Sequence, residues 1–111
     1  GAGLPDGARA LTPPPLADGR PDLTTAWGEL RSRHPDGLIV CEGGPRLLGQ
    51  LIQQRLLDQL VLCISPHLAG GANALRLTEG LELPAPALLP MTLLDLARAD
   101  DFVFLRYAAA P

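Results

Sequence analysis

The residues best suited to chemistry crowd one stretch, LIVCEGGPRLLGQLI, residues 38–52. An apolar run ends in Glu42, then come Gly43, Gly44 and Pro45, and Arg46 and Leu47 start an amphipathic repeat. A helix beginning there has unpaired N–H groups and a positive dipole end, and glycines just before it let a phosphate approach the backbone. Gly43 and Gly44 are therefore well placed for a pyrophosphate. The spacing alone leaves two readings open: the stretch holds neither G-x-G-x-x-G nor a Walker motif, and a Gly-Gly turn between strand and helix also serves simply to turn the chain. For Glu42 the functional reading is favoured, because a carboxylate directly after an apolar strand is costly to bury without a partner.

The other reactive side chains read more simply as structure. His34 stands beside Pro35 at a helix end and is expected as a solvated cap residue, and His67 follows Pro66 at a strand exit, where a loop histidine is favoured over one that faces a cofactor cleft. Neither pairs with a cysteine at ligand spacing, so no zinc site is expected. Ser65 has no histidine and carboxylate arranged around it as a nucleophile needs. Asp100 and Asp101 fit the chemistry of a tight turn, and Trp27, at helical spacing, fits a core. Cys41 and Cys63 each lie in an apolar run, where a free thiol acts as a small core residue; no disulfide framework is expected.

Those side chains need elements to hold them. Arg9 to Thr12 allow a short strand, but the Pro- and Gly-dense residues 11–22 read as loop, since proline removes backbone donors. Asp22 is a candidate N-cap for a helix with Leu23, Ala26, Trp27 and Leu30 on one face, stopped by HPDG at 34–37. Residues 38–41 lack polar alternation and predict a strand covered on both faces. Pro45 suits the first turn of the next helix, whose apolar face holds Leu47, Leu48, Leu51, Ile52 and Leu56. A second apolar run, 60–64, completes a strand–helix–strand crossover with parallel strands. SPHLAGG at 65–71 and the proline-rich 81–90 predict long connections. Residues 92–108 predict an antiparallel hairpin turning at Ala99-Asp100-Asp101, with Val103, Leu105 and Tyr107 alternating against Phe102, Phe104 and Arg106.

Composition bounds the function. With 111 residues, 47% hydrophobic, the chain suits one domain spanning 1–111 with a modest core. The net charge of -3 and nine scattered basic residues, all Arg, argue against nucleic-acid binding. No apolar run approaches the ~20 residues of a membrane helix, and residues 1–15 lack a signal-peptide pattern. A soluble cytoplasmic protein is the expectation.

VCEGGPRLLGQLIQQRLLDQLVLCISPHLAGG, residues 40–71, resembles the signature of the reductase domain of bacterial riboflavin biosynthesis, the RibD C-terminal domain family found in bifunctional deaminase-reductases and stand-alone relatives. The family's order is an apolar strand, Glu-Gly-Gly, a Leu-rich helix, an acidic pair opening the next strand, and a Pro followed by Gly-Gly, and this sequence matches most of it. FLRYA at 104–108 resembles the family's last strands. The resemblance implies an α/β, dihydrofolate reductase-like mixed sheet flanked by helices, with a C-terminal antiparallel hairpin. It also implies NADPH as cofactor, with its phosphates on Gly43, Gly44 and the N–H groups of Arg46 and Leu47, and a cis Gly43-Gly44 bond. Glu42 would accept hydrogen bonds from ribityl or ribosyl hydroxyls of the substrate. The implied reaction is hydride delivery to the sugar carbon of 5-amino-6-(5-phosphoribosylamino)uracil or a related phosphoribosylaminopyrimidine, with the cofactor carrying the chemistry. No catalytic group is assigned.

The departures shape the remaining expectations. Asp58-Gln59 replaces the family's Asp-Glu, a surface-type change. Nothing in residues 1–33 matches the family's first strands, its substrate loop or its phosphate-binding residues, so only the second half of the family domain is expected here. A half sheet exposes apolar faces and strand edges, which predicts a homodimer or pairing with the missing N-terminal half. The alternative to an active pyrimidine reductase is a catalytically incomplete half-domain acting as a dimerisation or cofactor-binding module.

Overall fold

Asp22 opens the first helix, α1 (Leu23–Arg33), as an N-cap: its carboxylate accepts from the Thr25 N–H at 3.2 Å and from Thr25 Oγ1 at 2.7 Å. Arg31 and Arg33 in the last turn face the negative end of the dipole. The His34 N–H donates to Leu30 O at 2.9 Å and Arg31 Nη1 donates to Gly37 O at 2.9 Å, so HPDG ends the helix as expected. Leu23 and Ala26 are buried, while Trp27 and Leu30 are half-buried. Before the helix, the Pro-rich loop is ordered by its own bonds: Leu16 N–H to Arg20 O at 2.6 Å, Asp22 N–H to Pro14 O at 2.8 Å, and an isolated bridge between Pro15 and Pro21.

The computed structural model describes residues 3–83 and 88–110 and forms two units, Gly1–Cys41 and Glu42–Pro111. The proline-rich connection expected over 81–90 falls partly, at 84–87, outside the described residues.

The second unit starts at the glycine pair. Its helix α2 (Pro45–Gln53) has Gly44 at the N-cap and Pro45 in the first turn, where a missing N–H costs nothing. Leu51 is 2% exposed and anchors the helix's inner face, and Leu47, Leu48 and Ile52 are half-buried around it. The helix stops before Leu56, earlier than its apolar pattern implies. Arg55 takes a left-handed conformation (φ 58°), the Leu56 N–H turns back to Leu51 O at 2.8 Å, and these close the C-terminus.

Strands β1 (Gln59–Ile64), β2 (Met91–Ala99) and β3 (Phe102–Ala109) form a sheet of order β1-β3-β2. Both pairings are antiparallel: Leu62 lies opposite Leu105 on one side of β3, and Leu96 opposite Leu105 on the other. The C-terminal hairpin is present as expected, with Asp100 at φ 51° in its turn, and β2 adds a bulge between Leu93 and Asp95. Across the outer face runs a polar belt. Arg106 donates from Nε to Asp95 Oδ2 at 2.8 Å, forms an ion pair with the same carboxylate through Nη2, and donates from Nη1 to Gln59 Oε1 at 3.3 Å. Gln59 thus helps tie all three strands without adding charge.

Three expectations are corrected. Residues 38–41 are not a strand: Leu38 is 87% and Val40 71% exposed, and no ladder includes them. Among the described residues β1 pairs only with β3, so no parallel crossover forms; an extended run without a partner strand leaves its backbone groups to water. Cys41 and Cys63 are exposed, not core residues. Cys63 lies on the face of β1 shared with Val61, opposite Phe104 and Arg106, and all of these are exposed.

The Asp22 carboxyl is held below its usual range, chiefly by the Thr25 hydroxyl and then by the Thr25 N–H. A depressed carboxylate stabilises the fold above its unfolded value of about 3.9, and that contribution disappears as pH falls through the lower folded value. We therefore expect the start of α1 to fray on acidification. In an amide-resolved pH titration, Asp22→Asn should keep the helix at neutral pH and lose this acid-dependent fraying, whereas Asp22→Ala should be frayed throughout.

Candidate functional site

The local sequence around residue 44 leaves a helix start with little to cap it. Gly44 carries no side chain to bond the first turn, and Pro45 has no N–H. The Leu48 N–H is satisfied by Gly44 O at 3.0 Å. The N–H groups of Arg46 and Leu47 have no carbonyl before them in the helix and point out of its positive end. Gly43 has φ +88°, a conformation that suits glycine, and the Gly43-Gly44 peptide bond is cis, the form the resemblance implies. A Cβ built on Gly44 meets nothing within 4 Å. The surroundings therefore do not require glycine at 44 for packing, and the space it leaves is open to an incoming group. These features fit a phosphate cradle.

The structure brings Glu42, Gly43, Gly44, Arg46 and Leu47 to this one end of α2. Leu47 is half-buried, and Arg46 projects outward at 87% side-chain exposure. Glu42 is exposed. The argument that it is costly to bury falls with the strand that was to bury it, and its role rests on the family signature alone. His67 and Ser65 are exposed loop residues and Asp100 and Asp101 form the hairpin turn, in keeping with their structural readings.

Sequence reasoning missed a neighbour of this site. Residues 77–82, without regular secondary structure, run beside α2 as a strap. The Glu79 N–H donates to Pro45 O at 3.1 Å, and the Glu82 N–H donates to Gln53 Oε1 at 2.9 Å. Between these anchors the strap lies so close that a Cβ on Gly49 would sit 2.5 Å from Glu79 O. Arg46 Nε faces Glu79 Oε2 at 3.8 Å. With Arg76, Leu77, Thr78, Gly80 and Leu81, Glu79 lines an open depression. The available signal was Gly49 itself, an isolated glycine within an amphipathic helix, where close packing is a common reason for its presence.

Comparison with known proteins adds one match. A family model described as the RibD C-terminal domain matches residues 11–102. The match covers α1 as well as the signature from Val40. No curated protein matches the chain.

Gly49→Ala tests the close approach. Alanine favours a helix over glycine by about 1 kcal/mol, yet here the added methyl must push the strap's backbone aside, and we expect a net destabilisation of about 1–3 kcal/mol. Gly28→Ala in α1, where a Cβ meets nothing within 4 Å, is the control. It should stabilise by roughly 0.5–1 kcal/mol, so opposite shifts of the denaturant midpoint are the expected pair of results.

Proposed function

Because the chain belongs to the RibD C-terminal domain family, a riboflavin-biosynthesis reductase-like domain, we propose that it is an NADPH-dependent reductase acting on 5-amino-6-(5-phosphoribosylamino)uracil or a related phosphoribosylaminopyrimidine. One observation carries the cofactor reading: the open, glycine-lined and side-chain-uncapped start of α2. Gly43 and Gly44 allow the pyrophosphate oxygens to approach the backbone, the N–H groups of Arg46 and Leu47 bond them, and the Arg46 guanidinium adds positive charge. Glu42, one residue before the cradle, accepts hydrogen bonds from substrate hydroxyls. NADPH supplies the hydride; the chain's part is to bind and orient.

A titration with NADPH followed by nicotinamide fluorescence tests this, beside Gly44→Val, which fills the cradle without meeting other protein atoms at its Cβ. Saturable binding is expected, weakened at least about tenfold in the variant, the effect of losing ~1.5 kcal/mol of charge-assisted phosphate contact. Absence of binding to the unmodified chain, or equal binding to both, would remove the phosphate role of Gly43-Gly44.

A second reading, a dimerisation or cofactor-binding module without turnover, is favoured by the bare sheet. Val61 is 67% exposed, Phe104 beside it is also exposed, and β1 and β2 each have an unpaired edge among the described residues. We infer that this surface is covered by a second copy or by further strands of the reductase domain. Sedimentation equilibrium should show a dimer at micromolar concentration that Val61→Glu dissociates; a monomer at a hundredfold higher concentration would count against self-association.

A further inference from the structure

The two edges of the sheet meet solvent differently. β2, at one edge, carries a bulge between Leu93 and Asp95 and the charges of Asp95 and Arg98, features that discourage a further strand. β1, at the other, has none of these: Gln59–Ile64 holds no charge and no proline, and its register runs unbroken from Gln59↔Ala108 to Ile64↔Val103. One bond fixes the direction of its free backbone groups. The Ala109 N–H donates to Asp58 O at 2.9 Å, so the main chain of Asp58 faces β3. Facing alternates along an antiparallel strand, and Leu60, Leu62 and Ile64 face β3 as well. The N–H and C=O groups of Gln59, Val61 and Cys63 therefore point out of the sheet's edge, where no strand meets them among the described residues. No described residue of the three strands is buried, so the apolar side chains along this edge also lack cover.

We propose that β1 of a second copy joins this edge, antiparallel about a two-fold axis at Leu62, making one continuous sheet across two chains. This rests on the reading of the bare sheet as a covered surface and names its cover. A two-fold interface must be complementary to itself, and QLVLCI meets that condition in this register. Val61 and Cys63 of the second copy form a hydrogen-bonded pair through their outward groups. Leu60 meets Ile64, Leu62 meets Leu62 and Gln59 meets Ser65, so apolar residues oppose apolar ones and no charge enters the joint. Centring on Val61 instead would set Ile64 against Asp58.

Sedimentation equilibrium tests this on the full chain beside Val61→Pro, Phe104→Glu, and Leu62→Cys in a Cys41→Ser, Cys63→Ser background. Proline at 61 removes an outward donor and no bond of the chain's own ladder, a place where an edge strand tolerates it. By symmetry the joint loses two bonds, and the dimer dissociation constant should rise about tenfold to a hundredfold. Phe104 is exposed on the face of the central strand, away from the edge, so Phe104→Glu should leave the dimer intact. The two copies of residue 62 form a non-hydrogen-bonded pair with Cα atoms about 4.5 Å apart, within disulfide range, so mild oxidation should cross-link Leu62→Cys. That variant keeps the test decisive if the proline variant fails to fold. A dimer lost in Phe104→Glu, kept in Val61→Pro and not cross-linked through residue 62 is stacked face to face, which overturns the edge joint and leaves the covered-sheet reading standing. An unmodified chain that stays monomeric at about a hundredfold above micromolar concentration overturns the joint and self-association together.

Discussion

Every ladder hydrogen bond of the sheet passes through β3. β1 and β2 are far apart in sequence and do not pair with each other; each is registered by its own edge of Phe102–Ala109. The hairpin places β2 on β3 through a tight turn, which is a local closure of low entropic cost. β1 reaches the other edge only after the long connection containing the strap, and its register depends on the match of Leu60, Leu62 and Ile64 with Tyr107, Leu105 and Val103. A slip by one residue would exchange these side chains with Val61 and Cys63. The Asp95–Arg106–Gln59 belt opposes such a slip, since its geometry exists in one register only.

The same long connection brings the strap to the candidate site. Between β1 and β2 the chain passes along α2, and its backbone touches the helix at Pro45, Gly49 and Gln53. The helix is therefore held by the buried Leu51 on its inner face and by the strap's main chain along its length. That double constraint positions the Gly43-Gly44 turn, whose own residues are exposed and contribute little packing.

The legible parts of the sequence were those with local chemistry. Asp22 as a cap with HPDG as a stop marked α1, Gly44-Pro45 marked the start of α2, and the Asp100-Asp101 turn between alternating residues marked the hairpin. The Glu-Gly-Gly signature and the elements around it led to the family. What failed was non-local. Residues 38–41 and 60–64 are equally apolar, and nothing in their composition says that one finds a partner strand and the other does not. The end of α2 was placed too late because a left-handed Arg55 has no compositional mark, unlike glycine at the same position. The strap has neither helical nor alternating periodicity, and the hydrogen bonds that hold Glu79 and Glu82 come from their main chain, so their side-chain types carried no trace of it.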